Sequence, residues 1–150
     1  MKLFLISLTI IFFSSTVKCQ TAEDAVKATV NNLFFAMKNA DAKLLISCFA
    51  DSAVLQTILK NKEGRIIVKN ESVNEFAAFI GSQPKNMADE RVVFETIKTD
   101  GPLAMVWAPY DFYFDGKFSH CGVDAFQLVN TAEGWKIQYL IDTRRKTGCK

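Results

Sequence analysis

His120, Asp124 and Asp111 are the residues of this chain whose types best suit proton transfer. A histidine beside a carboxylate is a common general acid–base pair: the carboxylate holds one imidazole tautomer and raises the ring's basicity, while an apolar surround limits water. Asp124 stands among aromatic residues, and a carboxyl buried there without a partner resists ionisation. The same residues also permit a purely structural arrangement, with His120 hydrogen-bonded in a wall and Asp124 bonded to a tyrosine hydroxyl or to the Trp107 indole. Trp107, Tyr113, Phe118, Phe126 and Tyr139 are the aromatic residues placed to stack on a small molecule or, equally, to fill a core. One histidine and no C-x-x-C pair provide no zinc-ligand spacing, so no metal or cofactor is expected.

These residues must be positioned by the stretch "MVWAPYDFYFDGKFSHCGVDAFQLV", residues 105–129. Asp115-Gly116 between two aromatic-rich runs predicts a tight hairpin, because glycine tolerates the positive φ of a type I′ turn. Counting back from Phe114 opposite Lys117 puts Asp111 opposite His120, Pro109 opposite Gly122, Trp107 opposite Asp124 and Met105 opposite Phe126. Period-2 alternation then places all eight on one face, with Tyr113, Phe118 and Leu128, and this is the expected concave face. Val106, Tyr110, Phe112, Cys121, Val123, Ala125, Gln127 and Val129 fall on the other, a solvent-facing or dimer surface. Cys121 thus faces away from His120, against a Cys–His nucleophile. Pro109 opposite Gly122 is where this register is weakest, since proline donates nothing to a ladder and glycine marks bulges.

Around the hairpin the sequence alternates less regularly. "TAEDAVKATVNNLFFAMKN" carries apolar residues at helical spacing behind a Thr21–Asp24 capping pattern, "DAKLLISCF" follows behind Asp41, and "SVNEFAAFI" opens on Ser72 with Glu75. "AVLQTIL" and "GRIIVK" form a strand pair, and "RVVFETIKT", "LAMVWAPYDFYF", "KFSHCGVDAFQLV" and "GWKIQYLIDT" a meander. Helices followed by antiparallel strands define an α+β class with helices on one sheet face.

Residues 1–19 have the order of a secretory signal: Lys2, an apolar run, then a polar stretch ending at Cys19. The run "LFLISLTIIFF" is shorter than the about 20 residues of a membrane span, so cleavage before Gln20 is expected, with export and no membrane attachment. Lys18 before Cys19 disfavours a lipoprotein. Residues 20–150 form a single domain, with 49% hydrophobic and 23% charged residues in the whole chain. Removing Lys2 and Lys18 leaves 16 basic residues against 16 acidic, with no electrostatic case for nucleic acid. Cys48, Cys121 and Cys149 remain, one pair and one free thiol, with the pairing open.

The hairpin "FYFDGKFSHCGVDAFQLV" with the following "DTRRK" resembles the nuclear transport factor 2-like superfamily, most closely its small secreted bacterial putative lumazine-binding proteins. The resemblance implies a cone-shaped barrel, a curved antiparallel sheet packed on three N-terminal helices, commonly in a homodimer. It implies an apolar pocket for a small apolar or aromatic molecule, in either of two uses. One is binding alone; the other is a cofactor-free lyase or isomerase on a polyketide-like or aromatic substrate, with His120 and Asp124 moving protons. An interaction module with a filled, inert cavity is a third. The aspartate–arginine–aspartate set of limonene epoxide hydrolase is not expected, since Arg65, Arg91, Arg144 and Arg145 all lie outside the hairpin, and "DTRRK" is expected to be solvated.

Overall fold

The computed structural model describes residues 21–149, so the expected signal segment lies outside the described residues. Helix α1 (Ala22–Asn39) begins where Thr21 and Asp24 complete their capping box and ends where Ala40 turns left-handed. Its apolar stripe of Val26, Val30, Leu33, Phe34 and Met37 is buried. Asp41 caps α2 (Ala42–Ser47), and Ser72 caps α3 (Val73–Gly81) by accepting from Glu75 N–H. Among the described residues no helix is long and apolar enough to cross a membrane.

Seven strands form one sheet: β1 (Phe49–Lys60), β2 (Ile66–Glu71), β3 (Ala88–Val92), β4 (Thr96–Asp100), β5 (Leu103–Phe114), β6 (Lys117–Thr131) and β7 (Gly134–Arg145). Their order is β2-β1-β7-β6-β5-β3, with β4 also on β5. The expectation of a purely antiparallel sheet is corrected at one seam: β1 runs parallel to β7. Parallel neighbours need a long crossover, and the whole chain from β2 to β6 supplies it.

"RVVFETIKT" is two strands and not one. Val92 pairs with Tyr110 and Thr96 with Trp107, so three residues of one strand face two of the other. The break lies beside Pro109, whose ring nitrogen has no hydrogen to donate, while its carbonyl accepts from Val93 N–H at 2.9 Å.

The β5–β6 hairpin closes as expected at Phe114–Lys117 and Tyr113–Phe118, then slips by one residue. The slip comes at Ser119, beside the turn, and not at Pro109. Beyond it Phe112 opposes His120, Tyr110 opposes Gly122, Ala108 opposes Asp124 and Val106 opposes Phe126. A bulge residue has no partner, so every β5 residue behind it exchanges faces relative to the predicted pairing. The concave face therefore carries buried Ala104, Val106, Ala108 and Tyr110, and the convex face carries Leu103, Met105 and Trp107, all exposed. Phe126 is 1% exposed and meets Phe34 of α1 edge-on at 6.2 Å, which seats the helix on the sheet.

Candidate functional site

Between α1, α3 and the concave sheet lies a cavity of about 1040 Å³. Leu33, Phe34 and Met37 of α1 and Phe76, Phe79 and Ile80 of α3 form much of its wall. Its polar groups come from the sheet, where alternation alone places them. Register sets Thr57 of β1 beside Asp142 of β7, and Asp142 beside Asp124 of β6. One step nearer the turn, Arg144 of β7 lies opposite Gly122, and Gly122 opposite Tyr110. Glu90 of β3, partly buried, is the partner of Phe112.

Two carboxylates directly opposite on a buried face repel each other. The site resolves this in two ways. Asp142 takes a charged partner: Arg144 Nε donates to its Oδ2 at 2.9 Å, and Arg144 Nη2 donates to Thr57 Oγ1 at 3.2 Å. Asp124 has no such partner and is pushed toward its protonated form. It is 3% exposed, and no N–H or O–H among the described residues donates to its Oδ2. Burial first, then the charge and hydrogen bond of Glu90, then Asp142, push its pKa well above the usual carboxyl value, against the pull of Arg144. Burial likewise raises Glu90, to about 7, although its hydrogen bond with Asp124 opposes this. Both acids line the cavity, and both shifts run toward the protonated form, so the site disfavours two negative charges side by side.

Tyr110 locks the other half of the floor. Its hydroxyl lies 3.1 Å from Asp142 Oδ2 and 2.9 Å from the Thr143 carbonyl, two strands away. It can cross β6 only because residue 122 is glycine: a Cβ there would overlap the Thr143 carbonyl oxygen and come within 2.7 Å of the Tyr110 ring and hydroxyl. Burial and the neighbouring carboxylates raise the Tyr110 pKa, so it remains a donor.

The sequence-predicted residues divide along the bulge. His120 and Asp124 line the cavity. They form no dyad: among the described residues the one hydrogen-bond contact of the His120 ring is Ser119 Oγ, 3.1 Å from Nδ1. The ring packs 5.0 Å from Phe112 and 5.7 Å from Tyr110, and burial followed by the Arg144 charge lowers its pKa. Asp111 now pairs with Cys121 on the convex face, away from the histidine it was expected to oppose. Trp107, 44% exposed, shares that face, so its expected place in the pocket wall beside Asp124 is corrected by the same slip. Tyr113 and Phe118 stack edge-on at 5.8 Å near the hairpin turn, with Arg91 over the Tyr113 ring at 4.1 Å. Phe126 is core, and Tyr139 donates to Gln56 Oε1 at 2.6 Å.

Glu90, Asp142, Arg144, Tyr110 and Thr57 were missed as site residues. A signal existed for Asp142, an acid in the middle of the strand-like "YLIDT", and its spacing from Arg144 puts both on one face. Arg144 lies outside the hairpin in sequence but next to it in space. Cys121 is joined to Cys149, so it is no nucleophile for His120, and Cys48 is the free, buried thiol among the described residues. Among the described residues no group of three His, Cys, Asp or Glu is placed to hold a metal ion.

Comparison with known proteins adds the lineage. A nuclear transport factor 2-like protein of unknown function from Shewanella baltica is similar over 83% of this chain and 94% of its own, with a TM-score of 0.66 and 14% identity. A cystatin-like-fold domain of unknown function from Nostoc punctiforme matches over 87% and 82%, with a TM-score of 0.66 and 18% identity. A putative dehydratase of the NTF2-like family from Streptomyces avermitilis matches over 81% and 94%, with a TM-score of 0.60 and 16% identity. At these identities the likeness concerns the fold alone. No curated protein matches the chain. The family model for putative lumazine-binding proteins matches residues 21–139, which spans the helices, the hairpin and the start of β7, and the chain therefore belongs to that family on the nuclear transport factor 2-like fold.

Proposed function

We propose that this protein binds a small, mainly apolar molecule in the cavity between α1, α3 and the concave sheet. One observation carries the reading: an apolar-walled space of about 1040 Å³ whose polar groups converge at one place on its floor, the usual composition of a small-molecule site. Export belongs to the same reading, supported by the signal-like residues 1–19 and by the Cys121–Cys149 disulfide, which suits an oxidising compartment. So does a homodimer through the convex face, where Val93, Leu103, Met105 and Trp107 are 66%, 50%, 41% and 44% exposed.

Native mass spectrometry of the mature chain, purified from an exporting host, tests both parts. The expected result is a dimer with retained small-molecule mass. Leu140→Trp, which fills the cavity from β7, should shed the ligand and keep the dimer. Trp107→Lys should split the dimer and keep the ligand. An empty cavity in the unmodified protein across several hosts and added apolar compounds would sink the binding reading.

A second reading, cofactor-free proton transfer as in a lyase or isomerase, is favoured by two acids on one cavity, Glu90 and Asp124, whose burial pushes both pKa values up. In it Asp124 is the acid and ionised Glu90 the base, with His120 confined to the wall because it holds no carboxylate. Loss of turnover in Glu90→Gln with ligand affinity retained would favour this reading over binding alone.

A further inference from the structure

Asp124 lines the cavity at 3% exposure, and its Oδ2 receives no hydrogen bond among the described residues. A buried acceptor without a donor is uncommon, because its lost hydration goes uncompensated. The neighbouring donors are committed elsewhere. Arg144 binds Asp142 and Thr57, and the Tyr110 hydroxyl binds Asp142 and the Thr143 carbonyl. The Asp142–Arg144 pair is neutral as a unit. What remains is two carboxyls on one cavity, Glu90 and Asp124, and a negative charge on them has no counter-ion. The ionisable groups facing it are Tyr110 of β5, His120 of β6, and Asp142 and Arg144 of β7. The cavity residues of α1 and α3 are all apolar.

We infer that the Glu90–Asp124 pair recognises a protonated nitrogen, and that the cavity takes an apolar or aromatic base whose N–H⁺ donates to Asp124 Oδ2. This rests on the small-molecule reading of the cavity and specifies its ligand class. A neutral molecule leaves the charge uncompensated, and a carboxylate adds a second. Glu71 of β2 also borders the cavity and adds to its negative charge, while Arg145, Lys146 and Lys60 border it on the solvated side, where salt screens them from an entering cation. Binding a cation favours the ionised carboxyls, so affinity for it rises with pH as Glu90 ionises.

Three probes sharing one ring system separate the possibilities: 1-naphthylmethylamine, 1-naphthylmethanol and 1-naphthoate, titrated calorimetrically into the full mature chain at several pH values. The amine should bind about tenfold more tightly than the alcohol near neutral pH, with the carboxylate weakest. Its affinity should rise about threefold or more between mildly acid and mildly alkaline pH, while that of the alcohol stays flat. Asp124→Asn, nearly the same shape, should bring the amine down to the level of the alcohol and leave the alcohol within about twofold, which separates recognition from folding. An amine no tighter than the alcohol, or an amine preference that survives Asp124→Asn, overturns the inference while the binding reading stands. If none of the three binds, both fail.

Discussion

Asp89 and Glu90 are consecutive residues on β3, and the fold treats them in opposite ways. Asp89 faces outward between Lys38 of α1 and Arg91, each 3.0 Å from one of its oxygens. Burial alone would raise its pKa, but the hydrogen bonds and charges of Lys38 and Arg91 win and hold it below the ordinary value. Glu90 faces the cavity, where burial wins and its nearest titratable partner is another acid. One step along a strand reverses the sign of the electrostatics, because it reverses the face. The outward carboxyl is stabilised as an anion; the inward one is pushed toward its neutral form.

The largest way to break this contrast is Gly122→Ala. The new methyl group has no space beneath Tyr110 or against the Thr143 carbonyl, so the β6–β7 seam or the tyrosine must move. A loss of about 3 kcal/mol or more is expected in urea denaturation, with the Tyr110 bonds to Asp142 and Thr143 disrupted.

Next comes pH. An acid whose folded pKa exceeds its unfolded value keeps a proton in the native state that the unfolded chain has released, so its stabilising effect is complete at low pH and is lost as pH rises through the folded value. For Glu90, raised from 4.5 to about 7, and for Asp124, raised as well, stability should fall from about pH 5 to pH 8. Asp124→Asn should flatten that slope and increase stability at about pH 8 by roughly 1–3 kcal/mol, measured by denaturation at matched ionic strength. An unchanged slope would show that Asp124 keeps no proton in the folded state over this range.

Asp89 carries the opposite sign. Its depressed pKa contributes stability above the unfolded value of 3.8 that is lost as pH falls through the folded value. Lys38 and Arg91 are 46% and 62% exposed, so Asp89→Asn should cost only about 0.5–1 kcal/mol at neutral pH and nothing in strong acid. The smallest effect belongs to the most conspicuous residue: His120→Gln, losing contacts with Phe112 and Tyr110, should cost about 1 kcal/mol and leave the pH slope in place.

The three helices were legible because each carries its own punctuation: Thr21, Asp41 and Ser72 cap within one turn, and the buried stripe of α1 repeats at helical spacing. The strands of the β5–β6 hairpin and its turn were equally local. Asp124 was legible as an acid among aromatics, and His120 as a cavity residue. Glu90 was not, because nothing in "MADERVVF" distinguishes the outward acid from the inward one until β3 has a partner on β5.

The sequence by itself determined the element types, the α+β class and the tight Asp115-Gly116 turn, since capping, periodicity and turn chemistry act over a few residues. Only the tertiary structure decided which acids meet. The extra residue at Ser119 turned Trp107 and Asp111 outward and Tyr110 inward, and the pairing of β7 with both β6 and β1 brought Asp142, Arg144 and Thr57 to Asp124. A one-residue slip changes the face of every residue beyond it, and strand order is set by packing over the whole sheet, so neither is encoded in any short stretch of the chain.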